Sequence, residues 1–452
     1  MPRTWLVLLG ICLLAVSVAS CRIPTAPLAQ APASAVLYDP KTVDAIAARF
    51  PQSAEMKAQN ERYRTALAEP VSVVAWNSES SRSQVFYATN RQLDNATGRF
   101  GNGWGQELVL GRCTVELPRR ERGKGADAPQ RTIKHARVFS KGPDTTDEKS
   151  AGTVHVALPE FFDESAFTVD LRQVVERAPE HDLLIFVHGF NVDFASSLTR
   201  TAQIGIDLPF NGAIVAYSWP SQGGIGNYGA DEGIIEQSVA PFVQFLNTID
   251  RAVPPETCIH LLVHSMGNRL VLNGLQQMAA TGRNRPRFEN LVLAAPDVGV
   301  TDFQTLAPAA VAMAKRVTLY VHESDTALLA SKVRHRQQRI GDAEPPVVIA
   351  GVETIDASAI DTSFMGHSYY GSNRSALSDM FALIKEDRAA GNRRWLKQET
   401  DSTGSWWTFA AQPTEVRCTW YFEHLDPKAT IGDSAGSTQL TSGEKSPATR
   451  RR

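Results

Sequence analysis

The stretch Ile259-His260-Leu261-Leu262-Val263-His264-Ser265-Met266-Gly267-Asn268 runs from an apolar segment into a small polar turn. The apolar half predicts a strand, and the residues from about Met266 onward predict a helix. A serine at so sharp a strand-to-helix turn projects its hydroxyl above the sheet, and the helix N-terminus favours developing negative charge there. The pattern departs from Gly-x-Ser-x-Gly at its first position, which is Val263. We therefore predict that Ser265 is a nucleophile; the alternative is a serine that caps an ordinary helix.

A second informative turn follows the strand predicted from Leu183 to Val187, and it has the sequence His188-Gly189-Phe190-Asn191. A His-Gly pair after a strand is typical of the turn that supplies the second backbone N–H of an oxyanion hole. We predict that Phe190 and Met266 supply those two amides. For His188 we predict a structural role, with hydrogen bonds inside the turn, and a role as catalytic base is the open alternative.

Beyond residue 180, short apolar runs alternate with helical patterns, which is typical of a mostly parallel sheet covered by helices on both faces. The runs are rich in Val, Ile and Leu, as strands buried on both sides require. The predicted strands are Leu183 to Val187, Ala213 to Tyr217, Ile259 to Val263, Leu291 to Ala295, Val317 to Val321 and Val347 to Ile355. Two extra N-terminal strands, Ser83 to Arg91 and Glu107 to Leu117, flank a Gly-rich stretch, Gly98 to Gly105, that we predict to be a loop. A helix predicted from Ser375 to Arg388 closes the domain.

A serine hydroxyl becomes nucleophilic when a base takes its proton and an acid orients that base. In a fold of this kind the three residues follow one another along the chain as Ser, then Asp or Glu, then His. Asp325 follows the predicted strand Val317 to Val321, and His367 lies in a Gly-containing loop before the last predicted helix. We therefore predict a triad of Ser265, Asp325 and His367.

Three other carboxylates compete for the role of the triad acid. Asp297 ends the strand before that of Asp325, in the run Ala294-Ala295-Pro296-Asp297, and it is the main alternative acid. Glu323 lies in the same turn as Asp325, and Asp361 lies in the loop that carries the predicted base. All three stay open at this stage.

Five segments together resemble a bacterial α/β-hydrolase family of unknown function whose members are described as esterase- or lipase-like. They span roughly residues 80 to 390, and they are Tyr87-Ala88-Thr89-Asn90-Arg91, Leu184 through His188-Gly189-Phe190-Asn191, Tyr217-Ser218-Trp219-Pro220-Ser221, His264-Ser265-Met266-Gly267-Asn268 and Gly366-His367-Ser368-Tyr369-Tyr370. The resemblance implies an α/β-hydrolase fold and a reaction type, and it implies no substrate.

The N-terminus carries a candidate export signal. Arg3 precedes an apolar stretch from Trp5 to Val18, which is short for a spanning helix and suits a secretory signal. Small residues and then Cys21 follow, as in the bacterial lipobox, in which cleavage leaves a lipid-bearing cysteine at the new N-terminus. An ordinary cleaved signal or an uncleaved anchor is the alternative. Because Arg22 rather than Asp follows the cysteine, the resemblance implies the outer membrane. We expect the protein to face the periplasm.

Changes of composition along the chain predict its organisation. A Pro-, Ala- and Ser-rich stretch after the signal is typical of a linker, and a Gly-, Ser- and Thr-rich C-terminus is typical of a mobile tail. The predicted parts are a lipoprotein signal (1–20), a linker and N-terminal helical segment (21–70), an α/β-hydrolase domain (71–392), a C-terminal extension (393–427) and a disordered tail (428–452).

Charge and motif content exclude several classes of function. With 46 Lys and Arg against 48 Asp and Glu, the formal net charge of -2 gives no general attraction to nucleic acid. We find no zinc-site spacing and no dinucleotide fingerprint, and we predict neither metal nor cofactor. The run Gly223 to Gly229 lacks the ending of a phosphate loop, so we expect a flexible wall or lid of the site, or a plain connector.

The sequence therefore predicts a serine hydrolase, similar to carboxylesterases or lipases, that works through an acyl-enzyme intermediate. Its expected substrate is an ester-type small molecule or lipid, and its expected membrane contact is lipid on Cys21. Two other functions remain open. One is an envelope amidase or peptidase with the same triad, and the other is a non-catalytic lipoprotein that uses a hydrolase scaffold as a binding module.

Overall fold

The computed structural model describes residues 72–76, 80–118, 136–138, 154–208, 210–282, 287–323, 331, 334–342, 345–360 and 374–410. In this part of the chain the strands are β1 (Val73–Trp76), β2 (Ser80–Asp94), β3 (Arg99–Pro118), β4 (Ala136–Val138), β5 (Val154–Val156), β6 (Glu160–Phe162), β7 (Asp182–Val187), β8 (Ala213–Ser218), β9 (Cys258–His264), β10 (Phe288–Ala294), β11 (Ala314–Val321), β12 (Val352–Asp356), β13 (Leu396–Asp401) and β14 (Gly404–Phe409). The α-helices described are α1 (Glu164–Arg177), α2 (Phe194–Asp207), α3 (Tyr228–Ala252), α4 (Gly267–Ala280), α5 (Val300–Met313) and α6 (Arg374–Ile384).

All of these strands join one sheet. Its order is β13-β14-β12-β11-β10-β9-β7-β8-β2-β3-β5-β4, with β1 beside β2 and β6 beside β3. Every neighbouring pair from β14 to β2 is parallel, whereas the hairpins β2–β3 and β13–β14 at the two sides are antiparallel. The predicted fold class, a mostly parallel sheet with extra N-terminal strands, is confirmed.

Helices cover both faces of this sheet. Along β7, Leu183, Ile185 and Val187 pack into one apolar core with α1, α3, α4 and α5. The alternate residues Leu184 and Phe186 pack into a second core with α2 and α6. Because successive side chains of a strand point to opposite faces, a continuous apolar run is what a strand between two helical layers requires.

At the centre of the sheet, the strands that follow β7 in sequence are added first on one side of β7 and then on the other. From β7 the chain passes through α2 to β8 on one side, and then through α3 to β9 on the other side of β7. In open α/β sheets, ligands bind outside the carboxyl ends of the strands at such a switch point. Val187 lies opposite Val263, so the turns that follow β7 and β9 are neighbours.

Two predicted boundaries differ from the structure. Gly98 to Gly105 is not a loop, because β3 begins at Arg99 and the turn is confined to residues 95–98. A Cβ at Gly103 would lie 2.5 Å from Gln92 Oε1 and one at Gly105 2.9 Å from the Arg91 carbonyl oxygen, so these glycines allow close strand approach. β12 begins at Val352 rather than Val347, after Gly351 at a φ of +80°.

The C-terminal hairpin belongs to the central sheet. β14 pairs in parallel with β12, and Trp395 and Phe409 are buried in the second core. Residues 396–409 of the expected extension 393–427 therefore complete one side of the sheet, because their aromatic side chains need an apolar layer to pack against. Residues 1–70, with Cys21, and the tail 428–452 lie outside the described residues.

Candidate active site

Ser265 lies in the turn between β9 and α4, where the sequence predicts the nucleophile. The residue is 2% exposed and its φ is +51°, in the left-handed region. Its N–H donates to the Ala294 carbonyl oxygen at 3.0 Å, and its own carbonyl oxygen accepts from Asn268 N at 3.1 Å and Asn268 Nδ2 at 2.8 Å. A left-handed backbone costs a non-glycine residue roughly 1–2 kcal/mol, so the surrounding hydrogen bonds hold a strained turn.

The turns after β7 and β9 touch each other through two glycines. A Cβ at Gly267 would lie 2.4 Å from the His188 carbonyl oxygen, and a Cβ at Gly189 would lie 2.8 Å from Ser265 Cβ. Both contacts are shorter than any real side chain tolerates, so each glycine is required by close approach. The turn with Phe190 therefore lies directly against the serine.

We expect Gly267→Ala to lower the free energy of unfolding by about 2 kcal/mol or more, because the methyl group meets backbone that cannot rotate away. Gly233→Ala is the matched control: this glycine is exposed on α3 with open space around its Cα, and its replacement should stabilise by about 0.5–1 kcal/mol. Urea unfolding of both variants measures the difference. A Gly267→Ala protein as stable as the wild type would show that the two turns do not meet as described.

The two amides predicted for an oxyanion hole flank this contact. Met266 is fully buried and directly precedes α4, so its N–H lies at the positive end of that helix. The Phe190 ring packs on the Tyr228 ring, with centroids 5.4 Å apart. Within the described residues, neither the Met266 nor the Phe190 N–H donates to an acceptor. The arrangement presents two backbone donors beside one serine.

His188 is buried and held by hydrogen bonds inside its turn. Its Nδ1 lies 2.8 Å from the Gly189 carbonyl oxygen, and its ring stacks on that of Trp219 at 5.1 Å. Burial, followed by the charge of Arg91, lowers the pKa of His188 to about 3, so the ring is neutral at ordinary pH. These contacts match the structural role predicted for His188.

His260, on β9, is a second buried imidazole whose pKa burial lowers to about 3. An unfolded histidine titrates near pH 6.5, so between about pH 6.5 and 3 the unfolded chain binds an additional proton, and stability falls as the pH falls. We expect His260→Gln to make the decrease in unfolding free energy below pH 6 shallower by about 1.4 kcal/mol per pH unit. Urea titrations at several pH values measure this slope; an unchanged slope would mean that His260 is already protonated in the folded protein.

Asp297, the alternative acid, is 3% exposed and its carboxylate is fully engaged. Tyr228 Oη donates to Oδ2, Ser331 Oγ donates to Oδ1 at 2.5 Å, and Arg339 Nε lies 3.2 Å from Oδ1. Its backbone N–H also donates to the Ser265 carbonyl oxygen at 3.3 Å. Asp297 therefore supports the serine turn and ties it to the segment around residues 331–339.

The other predicted triad residues, Asp325 and His367, lie outside the described residues, as does Asp361. The strands before them are described: β11 ends at Val321 and β12 at Asp356. Both strands run parallel to β9, so their carboxyl ends lie at the same edge of the sheet as Ser265. Glu323 is exposed, and its N–H donates to Ser358 Oγ at 2.9 Å.

The Gly-rich run Gly223 to Gly229 borders the turn with Phe190. It contains a short 3₁₀ helix, Ile225–Asn227, and leads into α3. The Gly224 N–H donates to Asn191 Oδ1 at 2.6 Å. The segment therefore lies beside the turn that contains Phe190.

Arg91 supports the candidate site although no sequence motif indicates such a role. It lies within a segment of family resemblance, and its buried guanidinium contacts Ser218 at the end of β8 and Val192 in the turn after β7. Its two shortest side-chain contacts are with Ser218 and Val192, which lie 127 and 101 residues away in sequence, so no local pattern indicates them.

The described part of the chain holds neither a candidate metal site nor a candidate membrane-spanning helix. No group of three or more His, Cys, Asp and Glu side chains has an arrangement suited to a metal ion there. None of the helices described combines the length and apolar content that crossing a bilayer requires.

Part of the chain matches the model of a known protein family. Residues 163–386 match the model of a family described as alpha/beta hydrolase of unknown function (DUF900). The uncharacterized protein alr1448 of Nostoc sp. is 28% identical over 141 residues, which cover 26% of this chain and 36% of that protein. The chain thus matches little more than a third of this relative.

The solved structures that a structural comparison matches to this chain include two esterases. One is the hyperthermophilic esterase from the archaeon Pyrobaculum calidifontis, at 9% identity and a TM-score of 0.27, over 77% of this chain and 97% of that one. The other is esterase B from Lactobacillus rhamnosis, at 10% identity and a TM-score of 0.28, over 77% and 97%.

Proposed function

We propose that the chain is a serine hydrolase that cleaves carboxylic esters, and the match of residues 163–386 to the model of an alpha/beta hydrolase family of unknown function supports this proposal. One observation carries the proposal: Ser265 is held at a φ of +51° at the switch point of the sheet, against the turn that contains Phe190. A protein keeps a strained serine there when its hydroxyl must face a reacting group.

The proposed reaction proceeds through an acyl-enzyme. His367 takes the proton of Ser265 Oγ, which attacks the ester carbonyl, while the amides of Phe190 and Met266 stabilise the oxyanion. Asp325 orients His367, which then protonates the leaving alcohol; water releases the acyl group by the same steps in reverse order. Loss of one oxyanion donor would cost on the order of 3 kcal/mol in the transition state.

A panel of chromogenic substrates tests the reaction class. We expect hydrolysis of p-nitrophenyl esters by the wild type, with the preferred acyl length read from butyrate, octanoate and palmitate, and little hydrolysis of the matching p-nitroanilides. Faster cleavage of the anilides would favour the amidase or peptidase alternative. No turnover of any substrate by folded protein would favour the binding module.

We also propose that the chain is a lipoprotein anchored through Cys21, in the outer membrane and facing the periplasm. The support is the sequence alone: an apolar segment of signal length that ends in small residues and a cysteine. Two or more acyl chains give stable anchoring, which would place the enzyme beside lipid esters. Labelling with radioactive palmitate in a bacterial host should mark the wild type and not Cys21→Ser. Unlabelled wild-type protein would exclude the anchor.

A further inference from the structure

Arg91 is a buried cation at the end of β2, and all of its acceptors are neutral. The residue is 1% exposed, Nε donates to Ser218 Oγ at 2.9 Å, and Nη2 donates to the Val192 carbonyl oxygen at 2.7 Å. Further, longer contacts join Nη2 to His188 Nε2 (3.4 Å) and Nη1 to Gly101 O (3.4 Å), Asn102 Oδ1 (3.3 Å) and Ser221 O (3.4 Å). Among the described residues, no carboxylate lies in ion-pair contact with this guanidinium.

Such a cation is costly for the fold. Burial lowers the pKa of Arg91 to about 9, with the distant charges of Asp193 and Asp231 opposing that shift. Desolvating a guanidinium without a contacting anion costs several kcal/mol, and an apolar residue of similar volume often serves stability equally well. The position therefore requires what only arginine provides, five N–H donors in a rigid planar fork.

The Arg91 guanidinium determines which nitrogen of His188 carries the proton. A guanidinium cannot accept a hydrogen bond, so Nε2, which faces Arg91 Nη2, must be the unprotonated nitrogen. The Gly189 carbonyl oxygen cannot donate, so Nδ1, at 2.8 Å from it, must carry the proton. Ser218 Oγ, 3.5 Å from Nε2, is a further donor on the same side. Arg91, Ser218 and Gly189 thus favour the same neutral form of the ring.

That tautomer in turn orients the Phe190 amide. The carbonyl oxygen of Gly189 and the N–H of Phe190 belong to one planar trans peptide, so they point in opposite directions. The proton on His188 Nδ1 holds the Gly189 oxygen toward the His188 ring, so the Phe190 N–H points in the opposite direction within the same plane. Without that hydrogen bond the peptide would be free to rotate and the donor would lose its direction.

The residues after Phe190 are fixed as well. The Asn191 N–H donates to Ser221 Oγ at 2.9 Å, and Ser221 donates to Asp231 Oδ2 at 2.6 Å. Arg91 holds the Val192 carbonyl oxygen, and the Asp193 side chain caps α2 by accepting from Ser196 N at 2.7 Å. Arg91 thus contacts the turn both before and after the proposed oxyanion donor.

We propose that Arg91 is a positioning residue for catalysis: by holding His188 in its Nδ1-protonated form and Val192 in place, it aims the Phe190 N–H at the oxyanion. The inference rests on the proposed function, because Phe190 is an oxyanion donor only if Ser265 attacks a carbonyl. It goes further in assigning a catalytic purpose to a residue that does not touch the substrate.

The kinetic test compares Arg91→Lys with Arg393→Lys. Arg393 is a matched control, since it is equally buried and pairs with Asp379 at 2.7 Å beside the C-terminal hairpin. For Arg91→Lys we expect kcat to fall about 10- to 100-fold while KM changes less than about threefold, because a misaimed donor weakens transition-state binding and leaves ground-state binding intact. For Arg393→Lys we expect lower thermal stability with kcat within about threefold. Equal kcat values for Arg91→Lys and the wild type would overturn the proposal.

A spectroscopic test does not depend on turnover. In protein labelled with [15N]histidine, His188 is assigned by the signal lost in His188→Gln. We expect the wild type and Ser265→Ala to show Nδ1 protonated and Nε2 unprotonated from pH 5 to 8, and Arg91→Met to show a mixture of tautomers. An unchanged tautomer in Arg91→Met, even with a lower kcat, would overturn the relay through His188. If Arg91→Met does not fold, Arg91→Gln takes its place. Full activity of Ser265→Ala would instead reject the proposed function and leave the tautomer result standing.

Discussion

Replacing Ser265 by alanine is expected to lower kcat for ester hydrolysis by about 10⁶-fold, the scale of loss when the nucleophile of a serine hydrolase is removed. The residual rate comes from substrate binding and the oxyanion donors, which alanine leaves in place. The fold should persist, because the hydrogen bonds described for Ser265 that hold the turn involve its backbone. Steady-state kinetics with the best ester of the panel, together with circular dichroism, measure both effects.

Two control variants test whether the loss of activity comes from the Ser265 hydroxyl itself. Ser265→Gly should be equally inactive yet about 1 kcal/mol more stable than Ser265→Ala, because glycine adopts a φ of +51° without the steric cost. Ser197→Ala, which removes another buried serine hydroxyl on α2, should keep wild-type kcat. If Ser265→Ala keeps more than a tenth of the activity, another residue is the nucleophile.

Asp325→Asn is expected to lower kcat by about 10⁴-fold, because an asparagine stabilises the wrong tautomer of the base and no longer balances the imidazolium. Asp297→Asn should reduce kcat less than about tenfold. Its main effect should be a loss of about 3 kcal/mol in unfolding free energy, since it leaves Arg339 without its buried partner and disturbs the bonds from Tyr228 and Ser331. Kinetics and urea unfolding of the two variants separate these effects.

The opposite pattern would identify Asp297 as the triad acid. In that case Asp297→Asn would be nearly inactive and only slightly destabilised, and Asp325→Asn would be active. The buried contacts of Asp297 argue for the first pattern, because a carboxylate held by a tyrosine, a serine and an arginine has little capacity left to orient a histidine.

Much of the architecture could be predicted from the sequence because its determinants are local. The apolar runs that became β7 to β11 are continuous, and a chain segment of that kind is stable only between two helical layers. The stretch 259–268 predicted a strand, a turn and a helix, and the family match to residues 163–386 confirms the resemblance to an α/β hydrolase. The exact ends of β3 and β12 were missed because glycine serves both loops and close strand contacts.

The side-chain contacts that hold the candidate site in place could not be predicted, because they join segments that are distant in sequence. Arg91 meets Val192 and Ser218, and Tyr228 meets Asp297, across separations of about 70 to 130 residues. A single sequence shows that these residues are polar and adjacent to apolar strands, and it does not show which of them meet. The positions of Ser265, Phe190 and Met266 in turns at strand ends could be predicted, because the residue pattern of such turns is local.

The decisive measurement is the site of covalent modification by a fluorophosphonate, which reacts much faster with a serine that is activated for attack than with other side chains. Peptide mapping of the treated wild type should find a single adduct, on Ser265, with none in Ser265→Ala and much slower formation in His367→Ala. An adduct on a different residue, or no adduct on folded protein under any condition, would refute the assignment of Ser265 as the nucleophile.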